Sequence, residues 1–117
     1  MSFGTYFKEL RNKKKKTQND IAKAINKSNM LISGVENGKN GPFSEEDLYK
    51  ISECLELSEA EKNQLFIEAA IERGRIPECL ATYMKDYKMA YVLLYTLSKK
   101  RFTDKDISNL IDRLEEK

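Results

Sequence analysis

Short polar side chains suited to hydrogen bonding lie close together in the N-terminal half of the chain. Gln18 and Asn29 carry amides, Ser28 and Ser33 carry hydroxyls, and Lys39 carries an ammonium group. An amide donates and accepts at the same time, so it can pair bidentately with the edge of a base. Hydroxyl and ammonium groups suit phosphate oxygens. These residue types fit the recognition of a nucleic acid.

Two short helices joined by a tight turn must position these side chains. The sequence predicts helices over residues 18–25 and 29–35, preceded by Thr17 and Ser28, whose hydroxyls can cap the first turns. Asn26 stands where the chain must turn, and asparagine tolerates the left-handed conformation better than other non-glycine residues. The apolar residues that hold the pair together are Ile21, Ala22, Ile25, Ile32 and Val35. Such a unit places its second helix in the major groove of DNA.

This stretch resembles the helix-turn-helix of the Xre/Cro family, the lambda-repressor-like DNA-binding domains. The resemblance is carried by Thr17-Gln18, Ile21-Ala22, Ile32-Ser33 and Glu36-Asn37-Gly38-Lys39, followed by Pro42. It covers about residues 3–57. It implies an all-α fold, in which a five-helix DNA-binding domain over residues 1–57 is followed by a helical extension. The sequence departs from the family pattern at Asn26, which replaces the usual turn glycine, and at Lys27, which replaces a small apolar residue.

The resemblance implies that the second helix of the motif contacts the bases of double-stranded DNA. The positions expected at base edges are Asn29, Met30, Ser33 and Gly34. Asn29 is the best candidate for direct readout, because its amide can pair with N6 and N7 of adenine. Met30 can contact a thymine methyl group, whereas Ser33 discriminates weakly between bases. Gly34 either permits a close approach to DNA or serves helix packing.

Phosphate contacts are expected on both sides of that helix. The predicted phosphate-contacting residues are Gln18, Lys27, Ser28, Asn37, Lys39 and Asn40. Gln18 begins its helix, where its amide can meet a phosphate and also brace the start of the following helix. Residues 1–42 carry nine Lys/Arg and three Asp/Glu, a balance of +6, whereas residues 43–117 carry twelve and sixteen, a balance of −4. Positive charge is therefore concentrated where phosphate binding requires it.

Composition argues against several other classes of protein. The chain has no His and only two Cys among its 117 residues. Cys54 and Cys79 are far apart in the sequence, so we expect buried thiols and no metal site. No cofactor, catalytic residue or enzymatic activity is predicted either. No apolar run is long enough to cross a bilayer and no signal peptide opens the chain, so we expect a cytoplasmic protein without membrane association.

The helical extension, residues 58–117, has no comparable signature. Its stretch from Met89 to Tyr95 is apolar almost all round, too short to span a membrane but too apolar for a surface helix. This stretch either completes the monomer core or forms a subunit interface. The candidate interface residues are Met89, Val92, Leu93, Leu94 and Leu97. Tyrosines recur every four residues beside them and could form a semi-polar rim, namely Tyr83, Tyr87, Tyr91 and Tyr95.

These patterns together predict a sequence-specific DNA-binding transcriptional regulator. The preferred interpretation is a repressor of phage or mobile-element type, which reads an inverted-repeat operator as a homodimer. The alternative is an antitoxin or inhibitor that binds a partner protein through its C-terminal half and represses its own promoter. A neighbouring toxin or defence-inhibitor gene would favour the alternative, and a lysogeny-control cluster would favour the repressor.

Overall fold

A computed structural model describes residues 2–116, and this part of the chain is all-helical, as the sequence predicts. The eight helices are α1 (Phe3–Lys13), α2 (Gln18–Ile25), α3 (Asn29–Glu36), α4 (Glu45–Cys54), α5 (Glu59–Arg73), α6 (Glu78–Asp86), α7 (Lys88–Lys99) and α8 (Asp104–Glu115). None of these helices is long and apolar enough to cross a membrane. The chain divides into two compact units, Met1–Glu78 and Cys79–Lys117.

Most of the helices begin at a side chain that satisfies amides of the first turn. At the start of α2 the Thr17 hydroxyl accepts from the amide of Asp20 at 3.1 Å. The Asp20 carboxylate accepts from the amide of Thr17 in return, at 2.8 Å. The same reciprocal box stands at the start of α5 and of α8, at Ser58 and Thr103. Each cap stabilises its helix by about 1 kcal/mol. The caps predicted at Thr17 and Ser28 are confirmed.

Only one of the two hydrogen bonds of a capping box forms at the start of α4. The Ser44 hydroxyl accepts from the amide of Asp47 at 3.2 Å. The buried Asp47 carboxylate pairs instead with Lys27, whose Nζ lies 2.7 Å from Oδ2. A buried carboxylate needs a partner more than an exposed one does, so the contact with a cation prevails over the local hydrogen bond. The ion pair ties the turn before α3 to α4.

The turn between α2 and α3 has the predicted left-handed residue. Asn26 has φ 55° and ψ 49°, in the region that asparagine tolerates better than most residues. The amide of Lys27 donates to the carbonyl of Ala22 at 2.9 Å, which closes the C-terminal end of α2. Asparagine therefore replaces glycine here without loss of the turn, and the prediction for Asn26 is confirmed.

A single hydrophobic core joins α1–α5 in the first unit. Its fully buried large side chains are Phe7, Ile21, Ile32, Leu48, Ile51 and Leu65. Helix α2 packs against α3 and α4, while α1 packs against α3 and α5. Gly4 allows α1 to approach the end of α3, because a Cβ there would lie 2.4 Å from the carbonyl oxygen of Val35. This core holds α3 firmly between its neighbours.

Helix α5 packs with the first unit, although the predicted division of the chain follows residue 57. Its contribution to the core consists of Leu65, Phe66 and Ala69. The carboxylate of Glu72 also accepts a hydrogen bond from the amide of Phe3 at 2.9 Å. The fifth helix of the five-helix pattern therefore lies at Glu59–Arg73, and the structural division follows Glu78.

The second unit comprises nearly all of α6 together with α7 and α8, and it buries little. Of its described residues, Met84 alone is buried. Cys79 is exposed, so the expectation of a buried thiol is wrong for this residue. Tyr87 is not helical (φ −132°, ψ 90°), so the chain breaks between α6 and α7. The rings of Tyr83 and Tyr87 lie 5.0 Å apart, but this break separates them from Tyr91 and Tyr95. The predicted four-tyrosine rim is therefore not one continuous helical stripe.

Candidate nucleic-acid interface

Helix α3 exposes its first turn and buries the opposite face. Asn29 and Met30 are exposed, the latter with 82% of its surface accessible, and Ser33 is half-buried one turn further on. Ile32 and Val35 point into the core, with Ile32 fully enclosed. The helix thus offers an amide, a thioether and a hydroxyl on its outer side while its inner side is anchored. A short polar surface of this kind fits the edges of base pairs.

Gly34 differs from the other three candidate base contacts because it is buried. A Cβ at this position would lie 2.2 Å from the side-chain nitrogen of Asn40. The backbone amides of Lys39 and Asn40 both donate to the carbonyl of Gly34, at 2.9 and 3.0 Å. The segment after α3 therefore folds back over Gly34. The missing side chain serves this internal packing, which was one of the two roles that the sequence left open.

A buried polar cluster fixes the C-terminal end of α3. The Glu36 carboxylate pairs with the Arg11 guanidinium at 2.7 and 3.1 Å, and only 1% of the Glu36 side chain is accessible. Gln18 donates from Nε2 to the same carboxylate at 3.1 Å. Arg11 also donates to the carbonyl of Lys16 at 2.8 Å. The cluster links α1, the loop before α2, α2 and α3.

The cluster around Glu36 corrects the expected bracing role of Gln18. It also shows that Arg11 and Glu36 help to position α3. Gln18 braces α3 at its last residue and not at its start, because the carboxylate acceptor lies there. The sequence alone assigns no individual role to Arg11, which precedes the run of lysines at residues 13–16, or to Glu36, which begins the exit motif. A usable signal existed: Glu36 is the one acidic residue between Asp20 and Glu45. Glu36 also follows Val35 and lies four residues after Ile32, on the apolar side of its helix, where a carboxylate needs a partner.

The N-terminal ends of α2 and α3 hold hydrogen-bond donors for an anion. The Ser28 hydroxyl accepts from the amide of Leu31 at 3.2 Å, which leaves its own proton available for donation. Gln18 uses one of the two N–H groups of its amide on Glu36, and the second can donate elsewhere. Lys27 is half-exposed but pairs with Asp47. Helix N-termini also carry partial positive charge, which favours phosphate.

The exit loop after α3 exposes three of the predicted phosphate contacts. Asn37, Lys39 and Asn40 are all exposed. The Asn37 amide donates to the Ser33 hydroxyl at 3.2 Å, so this side chain spans one turn along the outer side of α3. Gly38 has φ +80°, the left-handed conformation that lets the loop reverse. The loop is thus held by backbone hydrogen bonds, while these three residues remain accessible to solvent.

The lysines at the C-terminal end of α1 and just after it differ in their surroundings. Lys14 pairs with Glu61 at 2.9 Å and is thereby tied to α5. The amide of Ser58 and this ammonium group lower the pKa of the Glu61 carboxyl to about 2. Lys13, Lys15 and Lys16 carry the remaining positive charge of the run. The charge of Lys14 is partly neutralised within the fold, so its neighbours contribute more to the local positive field.

Helix α2 is capped, a tight turn follows it, and α3 then exposes a polar side while the five-helix core holds its other side. This arrangement is that of a DNA-binding helix-turn-helix domain. The helix-turn-helix family model matches residues 7–62. This part of the chain belongs to the Xre/lambda-repressor-like helix-turn-helix family, so the protein is a DNA-binding transcriptional regulator. This match confirms the family predicted from the sequence. Members of the family are DNA-binding regulators and not typically enzymes. No curated protein or solved structure has significant similarity to the chain.

Proposed function

We propose that the protein is a sequence-specific transcriptional repressor that inserts α3 into the major groove of an operator. The exposure pattern of α3 supports this function most strongly. Asn29, Met30 and Ser33 lie on the accessible side of the helix, whereas Ile32 and Val35 lie in the core. A helix anchored in this way presents the same side chains to every DNA sequence that it contacts. Repression follows where the bound site overlaps a promoter.

Asn29 and Met30 provide base discrimination in this proposal. The Asn29 amide pairs with N6 and N7 of an adenine, a contact that distinguishes adenine from the other bases by about 1–3 kcal/mol. Met30 contacts a thymine methyl group, for which its exposed thioether is suited. Ser33 adds a hydrogen bond that several bases can satisfy. Gly34 is not among the proposed base contacts because the Asn40 side chain covers it.

Phosphate contacts on both sides fix α3 in the groove. Before α3, the second N–H of Gln18 and the hydroxyl proton of Ser28 face the backbone of DNA. After α3, the next phosphates along the DNA backbone are bound by exposed residues of the loop, namely Asn37, Lys39 and Asn40. Lys27 contacts a phosphate only if its ammonium group leaves the ion pair with Asp47 and binds a phosphate oxygen instead. These contacts set orientation and affinity without specifying sequence.

The operator in this proposal is an inverted repeat that two copies of the chain read. A two-fold homodimer must place its two α3 helices about one DNA turn apart, roughly 34–36 Å. A compact repressor of this kind suits the control regions of phages and mobile elements. A second candidate is favoured by the exposed apolar side chains of α7, which could instead bind a partner protein, as in an antitoxin or inhibitor.

Affinity for duplex DNA should fall steeply with rising salt, because bound lysines release counterions from the phosphates. The expected log–log slope is about −0.9 per phosphate contacted. Lys39→Ala should weaken binding to all sequences alike and make the slope shallower by about 1. Fluorescence anisotropy titrations over a series of salt concentrations provide the measurement.

The matched control for Lys39→Ala is Lys50→Ala, which removes a lysine from α4 that pairs with Glu46. This variant should bind with the slope of the parent. A parent whose binding to duplex does not depend on salt would contradict phosphate recognition. Equal slopes of log affinity against log salt concentration for Lys39→Ala and the parent would show that Lys39 of the exit loop does not contact a phosphate.

A further inference from the structure

The ion pair between Lys27 and Asp47 lies beside the end of α3 that contacts DNA in the proposed function. Nζ of Lys27 is 2.7 Å from Oδ2 of Asp47. Residues 27–30, which include the proposed base contacts Asn29 and Met30, are all exposed. A cation at this position therefore has two anionic partners to choose between, the Asp47 carboxylate and a phosphate of bound DNA.

The two members of the pair differ in exposure, and this difference determines where the cation lies in the free protein. The Asp47 side chain is only 6% accessible, whereas the Lys27 side chain is 46% accessible. A carboxylate removed from water is costly unless a cation or a hydrogen-bond donor compensates it. Among the described residues, Lys27 supplies that compensation. The carboxylate therefore holds the ammonium group when no DNA is bound.

We propose that Asp47 is a specificity-determining residue, which keeps Lys27 from the phosphates of non-operator DNA and releases it only to a phosphate of the operator. In the operator complex, the contacts of Asn29 and Met30 with base edges fix α3 in the groove and bring one phosphate to a constant position beside Lys27. In a non-operator complex no base contact fixes the register, and the protein slides along the phosphates. A phosphate held in place displaces the carboxylate, whereas a moving one does not.

This exchange increases the difference between operator and non-operator affinity, which is what specificity means. Binding to non-operator DNA is essentially electrostatic, so withholding one cation weakens it directly. Non-operator sites greatly outnumber operators in a genome, and weaker binding to them leaves more protein for the operator. Lys27 replaces the small apolar residue that is usual at this position in the family, so the ion pair belongs to this chain in particular. The inference rests on the proposed function, because it requires that α3 contacts the bases.

Asp47→Asn is the first test, because it removes the charge of the carboxylate but keeps its shape. Fluorescence anisotropy over a salt series measures affinity for the operator selected by the parent and for an unrelated duplex of the same length. On the unrelated duplex, the log–log slope should become steeper by about 0.9, which corresponds to one more phosphate contact. Between about 50 and 200 mM salt, the variant should then lose about 3.5-fold more affinity than the parent. On the operator, its slope should equal that of the parent.

The double variant Lys27→Gln/Asp47→Asn should change the other slope. It removes both charges and leaves two amides, so no charge remains unpaired in the interior. The slope on the operator should become shallower by about 0.9, because the phosphate contact of Lys27 is lost there. The slope on the unrelated duplex should stay that of the parent. Thermal unfolding followed by circular dichroism verifies that both variants keep the cooperative transition of the parent.

The matched control is Glu46→Gln, which makes the same change in net charge one residue earlier on α4. The Glu46 side chain is 81% accessible and pairs with Lys50 at 3.6 Å, so this variant leaves Lys27 in its ion pair. Both of its slopes should equal those of the parent. The proposal is overturned if Glu46→Gln steepens the slope on the unrelated duplex as much as Asp47→Asn does.

Two further results separate this inference from the proposed function. A parent that binds duplex DNA with the expected salt dependence, while Asp47→Asn and the double variant keep both parental slopes, would refute the role of Asp47 alone. A parent that binds neither the unrelated duplex nor any selected sequence would refute the repressor and this inference with it.

Discussion

Replacing Glu36 with Ala should lower the free energy of unfolding by about 3–5 kcal/mol. The Arg11 guanidinium would remain in a nearly buried position without its counter-charge, and the Gln18 amide would lose its acceptor. A charge left unpaired in the interior costs more than the ion pair itself contributes. Urea denaturation followed by circular dichroism measures the loss.

Lys50→Ala provides the comparison for Glu36→Ala. It breaks the exposed pair between Lys50 and Glu46, whose N···O distance is 3.6 Å. Exposed pairs of this kind contribute at most about 0.5–1 kcal/mol, so little change is expected. A loss below about 1 kcal/mol for Glu36→Ala would mean that the cluster does not anchor the end of α3. The assignment of Arg11 and Gln18 as bracing residues would then be wrong.

Two truncations on α3 should have opposite effects on stability and operator binding: one should mainly destabilise the domain, and the other should mainly weaken DNA binding. Ile32→Ala removes a fully enclosed side chain and should destabilise the domain by about 2–5 kcal/mol. Met30→Ala removes a side chain that is 82% accessible, so unfolding should change by no more than about 0.5 kcal/mol. Denaturant unfolding and operator titration of both variants separate stability from binding.

The Met30 variant should lose operator affinity while it keeps the stability of the parent, because its thioether contacts DNA and not the core. Ile32→Ala should still bind the operator at temperatures where it remains folded, since its site is internal. Equal stability losses for the two variants would contradict the assignment of inner and outer faces on α3.

Local chemistry made the two helices of the motif predictable. The hydroxyls of Thr17 and Ser28 mark helix starts within one residue, and Asn26 marks the turn. Apolar spacing identified the inner face of α2 and α3, because helix period alone determines which residues share a side. These signals act over three or four residues, so the sequence contains them directly.

Contacts between distant residues were not predictable in the same way. Lys27 pairs with Asp47 and Arg11 with Glu36 across 20 and 25 residues, and no local pattern selects these partners. Gly34 lies under the exit loop because the backbone of residues 39 and 40 folds onto its carbonyl. The place of α5 in the first core likewise depends on packing, which the cap at Ser58 does not reveal.

Selection of bound sequences from a random DNA pool, with the parent and with Asn29→Ala, tests the central claim most directly. The parent should select an inverted repeat whose half-site centres lie about 10 bp apart, or a multiple of that distance. Asn29→Ala should lose the preference at one base pair in each half-site and bind the parental operator about 1–3 kcal/mol more weakly. The same selected sequence with the same affinity for both proteins would show that α3 does not read the bases.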